Sequence, residues 1–316
     1  MADIASLSLS SPSTSGTTSS TTTTHSYSCL QPQTPKTPEI SPSMLRLWRP
    51  QAQRNLRNQW SKLSSCRDQW RSSIASGRSH ATSLVNSYLS IRYMDAMDLG
   101  VLDNMPNIRK KACSKLLKQL ELQRNQLLSS YKAMVAVVID MVTLSKSMRC
   151  FSKTTTGSAI VQYSMFSENS NDTGDGGGAP VVTFLSVSAF EMLAEELVEM
   201  FKQELVLKRL LVVELLSKSY PELEQFNQLS WKDELYHGET NESNMCNLYS
   251  KDTAEPFLPK ISGWQSKTLT VESEKNPSHD VLQVYLTTWL AEVNIDTSRV
   301  EEIFIIVAEE LRTSFS

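Results

Sequence analysis

The chain has 316 residues, 40% hydrophobic and 21% charged, an ordinary globular composition and enough length for one sizeable core. Its net charge of −3 excludes a uniformly basic or acidic character, and only ten glycines and twelve prolines favour long helices over a sheet with many turns. Five cysteines at wide, irregular spacing form no C-x-x-C pair, so neither a zinc site nor a disulfide framework is expected, and a reducing compartment suits them.

Residues 1–43 ("SLSLSSPSTSGTTSSTTTTHS" and onward) are rich in Ser and Thr and hold too few large apolar groups to offset ordering entropy, so a disordered tail is expected. Being hydroxyl-rich and nearly acid-free, the tail also has the composition of a plastid or mitochondrial transit peptide, although no arginine precedes Arg46. Its Ser-Pro and Thr-Pro dipeptides suit turn chemistry or proline-directed phosphorylation equally.

A helical hairpin is expected over 44–151. Leu56, Trp60, Leu63, Arg67, Trp70, Ile74, Gly77, Ala81, Leu84, Tyr88 and Ile91 alternate steps of four and three, a heptad seam of five repeats. Gly77 weakens it by about 1 kcal/mol relative to Ala and marks a possible bend. "GVLDNMPN" ends the element, and a second seam follows from Leu116 to Met148, carrying Gln123 and Ser145 and a stutter at Leu127–Tyr131. Two heptad helices joined by a short Pro-containing turn read as an antiparallel pair. "AMVAVVIDMV" within the second is too short to span a bilayer and carries Asp140, so no membrane segment is expected.

A loop is expected over 152–185, where "AIVQYSMF" and "PVVTFL" have the composition to pair as strands. The third long helix, 186–219, is capped by Ser186 or Ser188 and stopped by Pro221. An irregular insert, 220–278, precedes two short helices over 279–316, the last with Thr297 or Ser298 and Glu301 as a capping box. The fold class is therefore all-α.

Catalytic signals are weak. "DTG" at Asp172 spells an aspartic-protease triplet but sits in a Ser/Asn/Gly run without flanking apolar strands or a second copy. His279-Asp280 resembles a metal-binding dipeptide, yet the other histidines, His25, His80 and His237, assemble no ligand set. No phosphate loop or G-x-S-x-G elbow is present. The chain reads as a non-enzyme with no catalytic, cofactor or metal residues.

Charge is uneven. Eight arginines and lysines from Arg46 to Arg78 face only Asp68, whereas acids outnumber bases beyond Pro221. Such a face serves nucleic acid, or it is a solvated surface balanced by the chain's own acidic half.

The third helix is apolar nearly all round from Leu205 to Leu216, yet Glu204, Lys208, Arg209 and Glu214 are set into it. Glu204 pairs with Lys208 at i,i+4, Glu214 reaches Lys218, and Arg209 either meets a buried carboxylate or sends its guanidinium to water. A helix of this kind must be covered on more than one side, and a foreign subunit is expected to supply part of the cover.

"EMFKQELVLKRLLVVELL" and "VLQVYLTTWLAEVNIDTSRVEE" resemble the cyclin-dependent kinase 2-interacting protein family, through Met200, Phe201, Glu204, Leu205, Leu207, Lys208, Arg209, Glu214 and Leu215, then Tyr285, Leu286, Trp289, Leu290 and Arg299. Residues 56–86 resemble its first helical region more loosely. The chain departs from the pattern in its longer tail and insert, in lacking a Trp-Pro before the third helix, and in a Trp289–Arg299 spacing one residue short. The resemblance implies a nuclear, non-enzymatic adaptor. Its implied partners are cyclin-dependent kinase with cyclin, a checkpoint kinase-interacting protein, and AAA+ ATPase subunits that act on replication complexes and maturing large ribosomal subunits. A second small helical subunit is implied beside it, with no direct nucleic-acid contact. Glu204, Leu205, Lys208, Arg209, Tyr285, Trp289, Leu290 and Arg299 are the expected partner interface. "RLLV" also spells a cyclin-docking R-x-L, but in mid-helix, where it is read as coincidence.

Overall fold

The computed structural model describes residues 42–153, 162–167, 172–217, 229–248 and 278–315. The Ser/Thr-rich tail before Pro42, the Lys218 partner of Glu214, the stop at Pro221 and most of the insert lie outside the described residues.

The described residues form an all-α fold and belong to one compact unit. Helix α1 (Pro42–Met94) and helix α2 (Ile108–Ser145) make the most extensive helix pair. Every predicted seam position of α1 is buried except Arg67, and so is the α2 seam from Leu120 to Met148. Their cross-contacts run antiparallel: Asn55 donates to the carbonyls of Ser147 and Met148 (3.0 Å each), Ser130 donates to Ser76 (3.4 Å), and His80 Nδ1 lies 3.1 Å from Gln123 Oε1. The polar seam residue Gln123 thus has a partner on the facing helix, which favours this register. An 18-residue window of α2 is apolar enough by length and composition to cross a bilayer, which the uninterrupted-run criterion missed; half of that window is buried in the fold.

A two-stranded antiparallel ribbon follows, β1 (Phe151–Lys153) with β2 (Gln162–Ser164), in the register Phe151–Ser164. The predicted pairing of "AIVQYSMF" with "PVVTFL" does not form: the first piece pairs with Phe151–Lys153 just before it. The backbone of Thr183, Phe184 and Leu185 instead donates three N–H groups to Glu310 Oε1 (2.7, 2.7 and 3.1 Å), so a carboxylate replaces a neighbouring strand as acceptor. Gly176 (φ +69°) lies on Trp48, where an added Cβ would come 2.5 Å from the indole, while Trp48 Nε1 donates to the Cys150 carbonyl (3.0 Å). This seats the loop on the start of α1. Asp172 of the "DTG" triplet accepts from Ser152 N and Oγ (2.6 and 2.7 Å) and Gly174 N (2.9 Å), a loop anchor.

Helix α3 (Val187–Leu216) is capped by Ser186, whose side chain accepts from Ala189 N, one of the two predicted caps. The insert is not wholly irregular: α4 (Glu239–Met245) forms within it and packs on α2. Helix α5 (His279–Ala291) and α6 (Thr297–Leu311) lie against both α1 and α3. Asp296, rather than Thr297 or Ser298, caps α6 by accepting from Arg299 N (3.1 Å), a charged acceptor at the positive end of the helix.

Candidate functional site

The four charges of α3 decide how the molecule closes. Glu204 and Lys208, one turn apart, place Lys208 Nζ 2.6 Å from Glu204 Oε1, and both side chains are fully buried. Lys208 also donates to the Trp289 carbonyl (2.6 Å), one of the last carbonyls of α5, which have no partner inside their own helix. Its ammonium lies 5.4 Å from the centre of the Trp289 ring. Glu204 Oε2 accepts from Asn294 N (2.9 Å) and Nδ2 (3.0 Å) in the turn after α5. The i,i+4 pair is thus a clasp: its cation sits at the negative end of α5, and its anion holds the turn that starts α6. Burial pushes the Lys208 ammonium below its ordinary pKa, and Glu204 opposes that shift.

Arg209 is buried against a carboxylate, the first of the two sequence alternatives. Its Nε and Nη2 reach Glu239 Oε1 and Oε2 (2.8 and 3.2 Å), and Nη1 and Nη2 donate to the carbonyls of Trp231 (2.6 Å) and Asp233 (2.8 Å). The guanidinium lies 4.4 Å from the centre of the Trp231 ring. Glu239 additionally accepts from the Tyr131 hydroxyl (2.8 Å) and Leu235 N (2.7 Å). One ion pair therefore binds α3, the 229–248 segment and α2 together. A buried pair of this kind is tolerable only because both partners are saturated with hydrogen bonds.

The remaining predicted interface residues lie further out. Tyr285 donates to Glu214 Oε2 (3.4 Å), and burial, then the neighbouring Glu214, push its phenol up to about 12. Arg299 bridges Glu196 on α3 (2.6 and 2.8 Å) and Glu302 on its own helix (2.7 Å), which raises its pKa above the ordinary guanidinium value. Trp289 is buried on α1: its indole N–H donates to the Ile74 carbonyl (3.2 Å), and its ring occupies the space over Gly77, where an added Cβ would come 2.4 Å from Cζ2. Gly77, expected only as a weak point in the seam, is the seat of α5. Glu292, in the left-handed region (φ 44°), accepts from Trp70 Nε1 (2.7 Å) and fixes the end of α5 to α1.

Most of the residues expected at a partner interface lie inside the chain. Glu204, Leu205, Lys208, Arg209 and Trp289 are buried within the chain, Tyr285 is half-buried, and only Leu290 and part of Arg299 face solvent. The all-round apolar helix does not need a foreign subunit over this stretch, because α4 with the 229–248 segment and α5 with α6 provide the sides that the hairpin leaves open. The R-x-L triplet is likewise inside, with Arg209 and Leu211 buried. Exposed large apolar side chains are spread over the described residues, among them Val101, Phe166, Phe184 and Met192, and on the C-terminal helices Val281, Val284, Leu290 and Ile305. Sequence reasoning missed Glu239, Trp231, Glu292 and Glu310; the only local signal was the unmatched positive charge of Arg209.

Among the described residues no group of three or more His, Cys, Asp and Glu is placed to hold a metal ion, and His279 and Asp280 are exposed and 3.8 Å apart. The fold and its clasps define a class: an all-α assembly in which a long hairpin carries a third helix pinned by C-terminal helices. Neither a family model nor a curated protein matches this chain.

Proposed function

We propose that the protein is a non-enzymatic helical adaptor similar to the cyclin-dependent kinase 2-interacting protein family. In this reading it links cell-cycle kinase, replication and checkpoint machinery to an AAA+ ATPase assembly in the nucleus. One observation carries the proposal. The two stretches on which the resemblance rests, far apart in sequence, are built against each other: Lys208 on Trp289, Glu204 on Asn294 and Glu214 on Tyr285. A pattern of residues that meet in space is what a common scaffold requires, which supports the likeness as one of fold rather than of composition. The partners come with the likeness.

Because α3 is enclosed, the surface proposed for a helical partner subunit moves to the outward side of α5 and α6, where Val284 and Ile305 are 59% and 57% exposed. The test is affinity purification of the tagged full chain followed by mass spectrometry, for wild type and for Val284→Glu with Ile305→Glu. The proposal expects AAA+ ATPase subunits and a second small helical protein with the wild type, and their loss from the variant at unchanged far-ultraviolet helicity. An identical set from the variant removes this surface. Recovery of the wild-type chain alone removes the adaptor reading. Arg209→Glu and Trp289→Ala do not serve here, since both disrupt the buried clasps and would report folding.

A further inference from the structure

Charge is segregated between the layers of the fold. Helix α1 carries nine arginine and lysine side chains against one acid, and α2 seven against two, whereas α3 carries six acids against three bases. The acids do not turn back to neutralise α1. Glu196 is engaged by Arg299, Glu191 by Arg149, Glu199 by Lys202, and Glu310 by backbone N–H groups. On α1, Asp68 approaches Arg67 and Arg71 at 3.8 and 3.7 Å, and Arg67 lies over Phe304. Among the described residues, Arg46, Arg49, Arg54, Lys62 and Arg78 are exposed and enter no ion pair. Among the described residues, no acid beyond Pro221 forms an ion pair with this face.

The geometry of the face selects a partner. Arg57, Arg71 and Arg78 are spaced by multiples of seven and share one line along a helix whose own seam is heptad, with Arg54 one turn from Arg57. From Arg46 to Arg78 the rise is about 48 Å at 1.5 Å per residue. Between Leu47 and Tyr93 no large apolar side chain of α1 is exposed, and the exposed neighbours include Asn58, Ser61, Ser65, Asp68, Gln69, Ser72 and Ser79. A protein partner of ordinary affinity would want buried apolar or aromatic anchors at the centre of such a surface. Trp48, Trp60 and Trp70 are all in the core, so the stretch from Arg46 to Arg78 offers no aromatic platform to unpaired bases. What remains is an array of guanidinium groups among hydroxyls and amides, of which Arg57 donates to the Leu311 carbonyl (3.2 Å), and such an array suits a uniformly charged phosphate backbone.

We propose that the outward face of α1 binds the backbone of duplex nucleic acid without reading its sequence, through Arg46, Arg49, Arg54, Arg71 and Arg78. This inference goes beyond the adaptor reading and does not rest on it. About five phosphate contacts correspond to a slope of about −4.5 in log K against log salt, hence a loss of roughly 500-fold between 50 and 200 mM.

Fluorescence anisotropy of the full chain with a 24-base-pair DNA duplex, the equivalent RNA duplex and the single strand tests this. The proposal expects duplex binding at 50 mM salt with that slope, falling to about −1.8 in Arg54→Gln/Arg71→Gln/Arg78→Gln. Lys110→Gln/Lys111→Gln/Lys115→Gln, which removes equal charge from exposed sites on α2, should retain most of the affinity. Binding of both duplexes, or of one, supports the proposal and identifies the source of the phosphates. No binding at 50 mM salt overturns it, as does an equal loss in the α2 variant, tighter binding of the single strand, or equal binding of polyglutamate.

Discussion

Gly77→Ala tests how α5 docks on the hairpin. In an unobstructed helix interior this change stabilises by about 1 kcal/mol, because alanine loses less backbone freedom on folding. Here the new Cβ would lie 2.4 Å from Trp289 Cζ2 and 3.2 and 3.3 Å from two further ring atoms. Carbon atoms in ordinary contact are about 3.5–4 Å apart, so the indole must retreat by about 1 Å or more. It has little room to do so, because its N–H is bonded to the Ile74 carbonyl and its own carbonyl is held by Lys208. Overpacking of a fixed aromatic lies at the upper end of a range of about 1–3 kcal/mol, and subtracting the helix gain leaves a net loss of about 2 kcal/mol. For a fold of this size that corresponds to a Tm lower by about 4–8 °C. Thermal and urea denaturation of the purified chain, followed by circular dichroism, measures it. In a Trp289→Leu background the sign should reverse, with Gly77→Ala neutral or stabilising. A raised Tm in the wild-type background would refute the packing argument.

Three further outcomes follow from the clasps. Arg209→Met leaves the buried Glu239 with its Tyr131 and Leu235 bonds but no counter-charge, and should cost about 3–5 kcal/mol. Adding Glu239→Gln should recover part of that loss in a double-mutant cycle, whereas a single variant within about 0.5 kcal/mol of wild type would mean that the charge finds water. For Glu310, burial raises the carboxyl pKa, but the N–H groups of Phe184, Leu185 and Thr183 outweigh it, so the folded value is depressed. Its contribution is therefore present above the unfolded carboxylate pKa of about 4.3 and is lost as pH falls through the lower folded value. Glu310→Gln should be about 1–3 kcal/mol less stable than wild type at pH 7, and the gap should close towards pH 3; a gap constant with pH contradicts the hydrogen-bond account. Lys208→Met, which strands Glu204 in the same way, should destabilise more than Lys202→Met, whose partner Glu199 is half exposed, when both are followed by urea unfolding.

Local periodicity carried the hairpin. The positions from Leu56 to Ile91 repeat every three or four residues because α1 packs extensively on α2, with α3, α5 and α6 closing the same seam at Trp70, Gly77 and Trp60, and that repetition survives in a single sequence. Where cover comes from distant segments, no period is written. Arg209 was recognisable as a charge that needed a carboxylate, but Glu239 lies 30 positions away in a segment with no pattern of its own. Gly77 carries the same lesson in reverse: its low helix propensity was visible, while its cause, Trp289, is 212 positions further on. Capping also turned on chemistry finer than composition, since Asp296 outcompeted the adjacent Thr297 and Ser298 with a charged acceptor. The apolar girdle of α3 is evident in the sequence, whereas nothing in residues 229–248 signals that they fold back onto it.

Native-state hydrogen exchange on the isolated chain tests the central claim, that α3 is enclosed by its own polypeptide. Amides across residues 200–216 should be among the slowest in the protein with no partner present, and slower than those at the hairpin tip near Gly100. Exchange in that stretch as fast as at the tip, slowing only when another protein is added, would show that the cover comes from outside.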